Sequence, residues 1–268
     1  MNKDKQQVHE FWNKASCGED LYLPGLDRKA YEAQARKRYE LEPYILEFAG
    51  FDSAKAKRVL EIGVGLGADH QCFAQSGADL HGIDLTERAV EHTQRRLSTF
   101  GLSSQLIVGD AEQLDFPDEY FERVYSWGVL HHSPDTPKAV AEVRRVLKQG
   151  GVAKVMIYHK WSMVGLMLWI RYALLRLRPY ISLQEIYAGY LESPGTKAYS
   201  FGEARRLFDD FSEVSIRTVL THGDLLESGA GQRHQGTMLS IARKIWPRWF
   251  IRQFFPNAGL FMLIEARK

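Results

Sequence analysis

Residues 59–67 read Val-Leu-Glu-Ile-Gly-Val-Gly-Leu-Gly, a short apolar run ending in three glycines at alternate positions. No other stretch restricts the fold as much. An apolar run of this length suits a strand covered on both faces, as in a parallel sheet. Glycines this closely spaced leave no Cβ between backbone N–H groups and a ligand. A helix starting just afterwards, over 68–76, would add its N-terminal dipole. The stretch therefore predicts a nucleotide-like cofactor at the C-terminal end of a strand.

The rest of the chain is organised around that strand. Further strands are predicted near 79–84, 104–108, 121–127 and 152–158, with helices at 68–76, 86–100 and 135–148 between them. Gly101 suits a C-cap after the second of these helices, and Asp135 an N-cap with Pro137 in the first turn. Such βαβ alternation requires a parallel sheet with helices on both faces. Helices are also predicted over 3–14, 29–49 and 203–211, and strands over 214–220 and 259–267. The fold class is α/β, with an N-terminal helical cap over 1–50 and a cofactor domain over 51–268. Two helical inserts, about 159–199 and 221–258, interrupt that domain.

Two cofactors fit the glycine loop. Gly63-x-Gly65-x-x-Ala68, with Asp84 downstream, satisfies the loose dinucleotide fingerprint and would suit a nicotinamide-dependent oxidoreductase. The other cofactor is S-adenosylmethionine (SAM). Glu61 stands two residues before Gly63, Gly82-Ile83-Asp84-Leu85 ends the second strand, and Gly109-Asp110-Ala111-Glu112 ends the third. Val124 to His132 follows the fourth strand onto the substrate side, and Arg145 to Gly151 runs into a Gly-Gly turn before the fifth. In this order, over 58–158, the set resembles class I SAM-dependent methyltransferases, in particular the type 11 group acting mostly on small molecules. The family commonly has proline where this chain has Gln149. The resemblance implies a seven-stranded Rossmann-like sheet, mostly parallel, with the last strand antiparallel.

It also implies roles for residues. Gly63, Gly65 and Gly67 would form the loop against SAM, and Asp84, with Leu85, would accept the two ribose hydroxyls. Asp110, Ala111 and Glu112 would lie by the adenine, whose amine is a donor. Glu61 would act indirectly, through loop backbone or water, and Trp127 would border the cofactor. Tyr22, in the polar cap segment 16–22, is a candidate contact to cofactor or substrate. SAM carries no phosphate, and no Lys or Arg stands between Glu61 and His81. The cofactor is itself the activated reagent, so the protein mainly has to align it. A phenol or alcohol acceptor would benefit from a general base, for which His132, His159 and His222 are the candidates. A structural or pocket-lining role for the His131-His132 pair is the competing reading. Residues 193–199 have the composition of a lid.

Charge and cysteine content narrow the classes. The net charge is only +2, which argues against non-specific nucleic-acid binding. Residues 1–158 hold 20 Lys+Arg and 24 Asp+Glu, whereas 159–268 hold 15 and 9, so the basic surplus lies outside the cofactor motifs. Cys17 and Cys72 form neither a metal spacing nor a disulfide framework, so no metal is expected. The polar N-terminus lacks the apolar segment of a signal peptide, and the cytoplasm is the expected compartment. Residues 161–170 are apolar nearly all round but too short to span a membrane. They read as a helix buried between core and lid, or as part of an apolar substrate pocket or interfacial helix. Near 243–255, Arg and Lys alternate with Trp and Phe. That pattern reads as a solvated basic face over packed aromatics, or as a peripheral contact with an anionic membrane. The expected activity is methyl transfer from SAM to an O, N or S atom of a small, partly apolar or aromatic molecule. The alternatives are a membrane-associated enzyme for a lipid or isoprenoid, a tRNA or protein methyltransferase, and the oxidoreductase. Oligomeric state is left open.

Overall fold

Arg58–Ile62 (β1) is buried at every position after its first residue, so it lies inside a sheet covered on both faces. In the computed structural model, which describes residues 2–227, 243–244 and 246–268, six further strands join it. They are Asp79–Asp84 (β2), Gln105–Val108 (β3), Phe121–Trp127 (β4), Leu147–Tyr158 (β5), Glu213–Val219 (β6) and Phe261–Arg267 (β7). Their order across the sheet is β3-β2-β1-β4-β5-β7-β6. β7 runs antiparallel to both β5 and β6, and the other pairings are parallel. The order reverses between β1 and β4, which opens a crevice at the C-terminal ends of these strands.

Neighbouring side chains of each strand feed two cores, one per face. Leu60, Ile62 and Val124 pack with Val140 and Val143 of Thr136–Val146 (α7) and with Ala204 of Phe201–Leu207 (α10). On the other face Val59, Leu80 and Tyr125 pack with Phe73 of Ala68–Gln75 (α5) and with Ile45, Phe48 and Ala49 of the cap. Full burial of each such side chain is worth about 1.5–3 kcal/mol. Glu87–Thr99 (α6) begins at Thr86, whose hydroxyl accepts the Ala89 N–H, and Phe100 closes it just before Gly101, at φ +67°. Asp135 caps α7 by accepting the Lys138 N–H.

The cap comprises Lys3–Lys14 (α1), Glu19–Tyr22 (α2), Arg28–Leu41 (α3) and Tyr44–Ala49 (α4). A single helix over 29–49 is therefore corrected to two. Pro43 has no N–H to continue α3 and becomes the N-cap of α4. The Gly-Gly turn is corrected as well. β5 starts at Leu147, not 152, and its register against β4 shifts from Phe121↔Leu147 to Arg123↔Val152. Residues 148–151 form a bulge within the strand, with Gly150 at φ +73° and its N–H donating to Lys268 O.

The inserts differ from their simplest readings. The first holds Met163–Tyr172 (α8) and Leu183–Tyr190 (α9). α8 buries only Gly165 and Leu168, so it does not lie buried between core and lid. In the second, the stretch 228–242 and residue 245 lie outside the described residues. Arg248–Phe254 (α11) follows Pro247 and buries only Ile251. Its aromatics pack on one another, Phe250 and Phe254 with centroids 4.7 Å apart, and remain exposed to solvent. Asp224, fully buried, ties both inserts to the sheet. It accepts from Thr221 N and Oγ1, from Leu260 N beside β7 and from Val164 N in α8.

Candidate active site

The glycine loop leaves β1 with Gly63, Gly65 and Gly67 all at positive φ. Each is required for a different reason. A Cβ on Gly63 would stand 2.1 Å from Val129 Cγ2, so β1 and the chain leaving β4 can approach only because the side chain is absent. A Cβ on Gly67 would meet Thr93 Oγ1 of α6 at 2.8 Å. A Cβ on Gly65 would meet no protein atom within 4 Å. Gly65 thus faces open space, and a ligand can approach its backbone.

Asp84 ends β2 beside this loop. Its Oδ2 accepts the Gly65 N–H at 3.2 Å, while Oδ1 accepts Thr86 N (3.0 Å) and Thr86 Oγ1 (2.9 Å). Burial raises the carboxyl above its ordinary value, and the donors from Thr86 and Gly65 oppose that rise. Half-buried Leu85 follows. Asp110 lies past the end of β3, where Oδ1 accepts the Glu112 N–H at 2.9 Å and Oδ2 accepts Lys5 Nζ of α1 at 2.5 Å. Glu112 also accepts Lys5 Nζ (2.6 Å), Ser133 Oγ (2.5 Å) and the Asp135 N–H (2.9 Å). Burial alone would raise Glu112; these donors hold it below its ordinary value. Its carboxylate therefore braces α1 and the β4 exit loop. Ala111 between them packs against the core.

Glu61 is engaged inside the fold. It is 3% exposed and pairs with His70 Nδ1 at 2.8 Å, and His70 Nε2 meets Ser104 Oγ at 2.8 Å. Burial, reinforced by nearby Asp69, raises Glu61 well above its ordinary range, and burial pushes His70 down to about 3. One proton shared by the two serves this buried link between β1 and α5. Asp69 stays ionised because Arg38, Tyr39 and Tyr125 all donate to it. Trp127, half-buried at the end of β4, stacks on Tyr44 (centroids 6.0 Å apart) and meets the edge of Phe261. Tyr22 closes α2 with its ring against Gly18, and burial raises its phenol.

Of the three histidines, His132 joins a polar cluster at this end of the sheet. It sits in the one-turn 3₁₀ helix Leu130–His132, right after β4. Its Nδ1 meets Ser193 Oγ (2.8 Å) and Thr196 Oγ1 (3.1 Å), and its Nε2 lies 3.3 Å from Glu192 Oε2. The Thr196 hydroxyl donates to Ser193 O at 2.7 Å, and the closer contact to Nδ1 is the Ser193 hydroxyl. Tyr158 OH donates to the same Glu192 oxygen at 2.7 Å, and Trp12 of α1 meets His132 edge-on. His131, His132 and Glu192 offer ligand atoms within 4.8 Å of one another, a spacing a metal ion can bridge. His159 instead contacts Gly259 O and the ring of Phe201 and is 4% exposed. His222 is half-buried on the loop after β6, and burial lowers its pKa.

Several site residues escaped the sequence reading: Lys5, Trp12, Glu42 and Glu192. Burial pushes Glu42 up to about 7, against the pull of Arg38. Cys17 is exposed, and the Glu192 and Glu42 carboxylates near it oppose ionisation of its thiol. A signal for Glu192 existed. Only two acids, Glu185 and Glu192, stand in 159–199, and Glu185 is spent on the capping box of α9.

Comparison with known proteins bears on the fold and the cofactor domain. Residues 60–155 match the family model described as a methyltransferase domain. A fatty-acid O-methyltransferase of Mycolicibacterium smegmatis is 34% identical over 122 residues, 45% of this chain and 43% of that protein. A ubiquinone/menaquinone biosynthesis C-methyltransferase of Bordetella avium is 35% identical over 162 residues, 59% of this chain and 58% of that protein. The chain thus spans between about two-fifths and three-fifths of the length of these two relatives. The solved structure of a geranyl diphosphate C-methyltransferase from Streptomyces coelicolor shares the fold. Its TM-score is 0.65 at 16% identity, covering 99% of this chain and 98% of that one. The open face of Gly65, the Asp84 carboxylate beside it and the absence of any Lys or Arg in the loop suit SAM rather than a phosphate-bearing cofactor. Residues 60–155 are therefore the core of a class I SAM-dependent methyltransferase domain.

Proposed function

We propose that the chain transfers the methyl group of SAM to a small, largely apolar acceptor held between the β4 exit, the cap and the first insert. The observation that carries this reading is the convergence, at one end of the sheet, of open Gly65 and Asp84 with an aromatic-walled cluster around Glu192. The bound cofactor would supply an electrophilic methyl group. Asp84 would hold the ribose with the lone pairs that Gly65 and Thr86 leave available, and Asp110 would face the adenine. Trp12, Trp127 and Tyr158 would exclude water and favour an apolar acceptor. Fatty acids and quinones named for the two relatives fit that description.

The acceptor's proton would leave through Glu192. Its side chain is 28% exposed, whereas His132 behind it is 6% exposed. Glu192 would take the proton, and His132 Nε2, 3.3 Å away, would share it. Ser193 and Thr196 position the imidazole for this. The test is incubation of the protein with labelled SAM and a total lipid and small-molecule extract, followed by identification of the labelled product. A labelled amphiphilic product is expected, with Glu192→Gln lowering kcat by about 100-fold and leaving SAM affinity unchanged. Calorimetry showing no SAM binding, or labelling confined to protein or RNA, would overturn the proposal.

A further inference from the structure

Ten of the sixteen large exposed apolar side chains among the described residues fall in two short segments of the inserts. The first runs from α8 to the start of α9, where Trp161, Leu166, Leu174, Leu175, Leu177 and Tyr180 are exposed, Leu177 by 88%. The second is α11 and its end, with Trp249 (73%), Phe250, Phe254 and Phe255. Scattered exposed apolar residues need no explanation, but a concentration of this kind marks an interaction surface.

Charge narrows the partner. Residues 161–184 contain three arginines and no acid, and 243–256 contain four Lys or Arg and no acid. Some of these cations are engaged: Arg248 donates to Leu226 O, and Arg252 pairs with Glu227. Arg171 and Arg176 lie over the ring of Tyr172 at 5.2 and 5.0 Å. Such a face repels a second copy of itself. Tryptophan and phenylalanine between arginines suit the boundary between anionic headgroups and acyl chains, where aromatic bodies enter the apolar layer and guanidinium heads remain among phosphates. No helix among the described residues is long and apolar enough to cross a membrane. Contact from one side is the mode these elements allow.

We infer that the two inserts form a membrane-docking face that seats the protein on an anionic bilayer. The first insert also builds the site: Glu192 and Ser193 follow α9. Docking through this face would bring an apolar acceptor to the site without passage through water. The inference concerns binding alone and stands whether or not the proposed transfer reaction is correct.

Co-sedimentation of the full chain with phosphatidylcholine vesicles, with and without phosphatidylglycerol, tests it in the absence of SAM and acceptor. Binding to the phosphatidylglycerol vesicles is expected, weakened by high salt, with a blue shift of tryptophan emission. The double variant Trp249→Ser/Phe254→Ser should bind at least about tenfold more weakly. Arg176→Glu/Arg178→Glu should lose the preference for the anionic lipid. Far-UV circular dichroism and Tm serve as controls that these surface variants fold. Absence of wild-type binding to either vesicle would overturn the inference, as would undiminished binding of the Trp249/Phe254 variant. So would light scattering that shows a dimer dissociated by the same two substitutions, because the face would then be occupied by a second copy.

Discussion

At the scale of single residues, the glycine loop separates fold from ligand. Gly63 and Gly65 both hold positive φ, yet their surroundings differ. Gly63→Ala would drive a methyl into Val129, so stability should fall by several kcal/mol, with a lower Tm and reduced soluble yield. Gly65→Ala meets nothing in the protein, so the fold should lose only about 1–2 kcal/mol of left-handed strain. SAM affinity, measured by calorimetry, should nevertheless drop at least tenfold, because the new methyl occupies the ligand's approach. Asp84→Ala should act likewise, removing the ribose acceptor and a brace on the Gly65 N–H. An unchanged SAM affinity in Asp84→Ala would sink the assignment of this site. These residues were legible because loop glycines and strand-end acids serve local backbone geometry, which spacing encodes. Glu61 was legible as a position but not in its partner, because its pairing with His70 arises from a fold contact between β1 and α5. Glu192 was legible only as an uncommitted acid of the first insert, since its role depends on that insert folding back onto the β4 exit, a contact 60 residues long in sequence.

At the scale of elements, the cap is fastened to the cofactor half by charge. Glu19 of α2 accepts Arg88 Nε at 2.8 Å and Nη2 at 2.5 Å from α6, and His92 approaches at 3.0 Å. Those hydrogen bonds from Arg88, against a contrary push from burial, lower Glu19 from 4.5 to about 2. The sign follows directly. A carboxylate with a depressed folded pKa stabilises the closed cap fully above pH 4.5, and the contribution is lost as pH falls toward 2. Proteolysis or hydrogen exchange should therefore show residues 15–30 opening between pH 4.5 and 2, before the central strands. Glu19→Gln should produce the same opening at neutral pH. Most strands and the helices flanking them were legible, because the strands are short apolar-rich segments set off by glycine and polar turn residues. The inserts were legible as helices but not as surfaces. Periodicity does not say which apolar face finds a partner: α8 packs Leu168 and Trp169 with Ile186 of α9 while Leu166 stays exposed, and α11 buries only Ile251.

At the scale of the whole molecule, a buried arginine decides whether cap and sheet unfold together. Arg96 of α6 is fully buried, and its partners are all neutral. Nη1 donates to Gln34 of α3 (2.7 Å) and to Leu66 O in the glycine loop (3.1 Å), Nη2 to Tyr31 O (3.1 Å) and Nε to Gln71 of α5 (2.7 Å). One side chain thus joins the cap, the cofactor loop and two helices of the sheet layer. Burial lowers its pKa. Because α4 shares its core cluster with β1 and β4, the cap also lacks an apolar core of its own. Arg96→Met keeps much of the volume but strands the Leu66 carbonyl and two amide oxygens without donors, a loss of about 3–5 kcal/mol. For a chain of this size that lowers Tm by roughly 10 °C. Scanning calorimetry should show the shift as one transition, since the arginine belongs to cap and sheet alike. A separate low-temperature transition for residues 1–50, with the main one unmoved, would show instead that the cap folds independently. Saturating SAM should restore part of the lost Tm, because a ligand of the folded loop stabilises by RT ln(1 + [L]/Kd). The recovery should be smaller in Arg96→Met than in the parent protein, since Leu66 O, the carbonyl that Arg96 holds, lies between Gly65 and Gly67 in the loop that receives the cofactor.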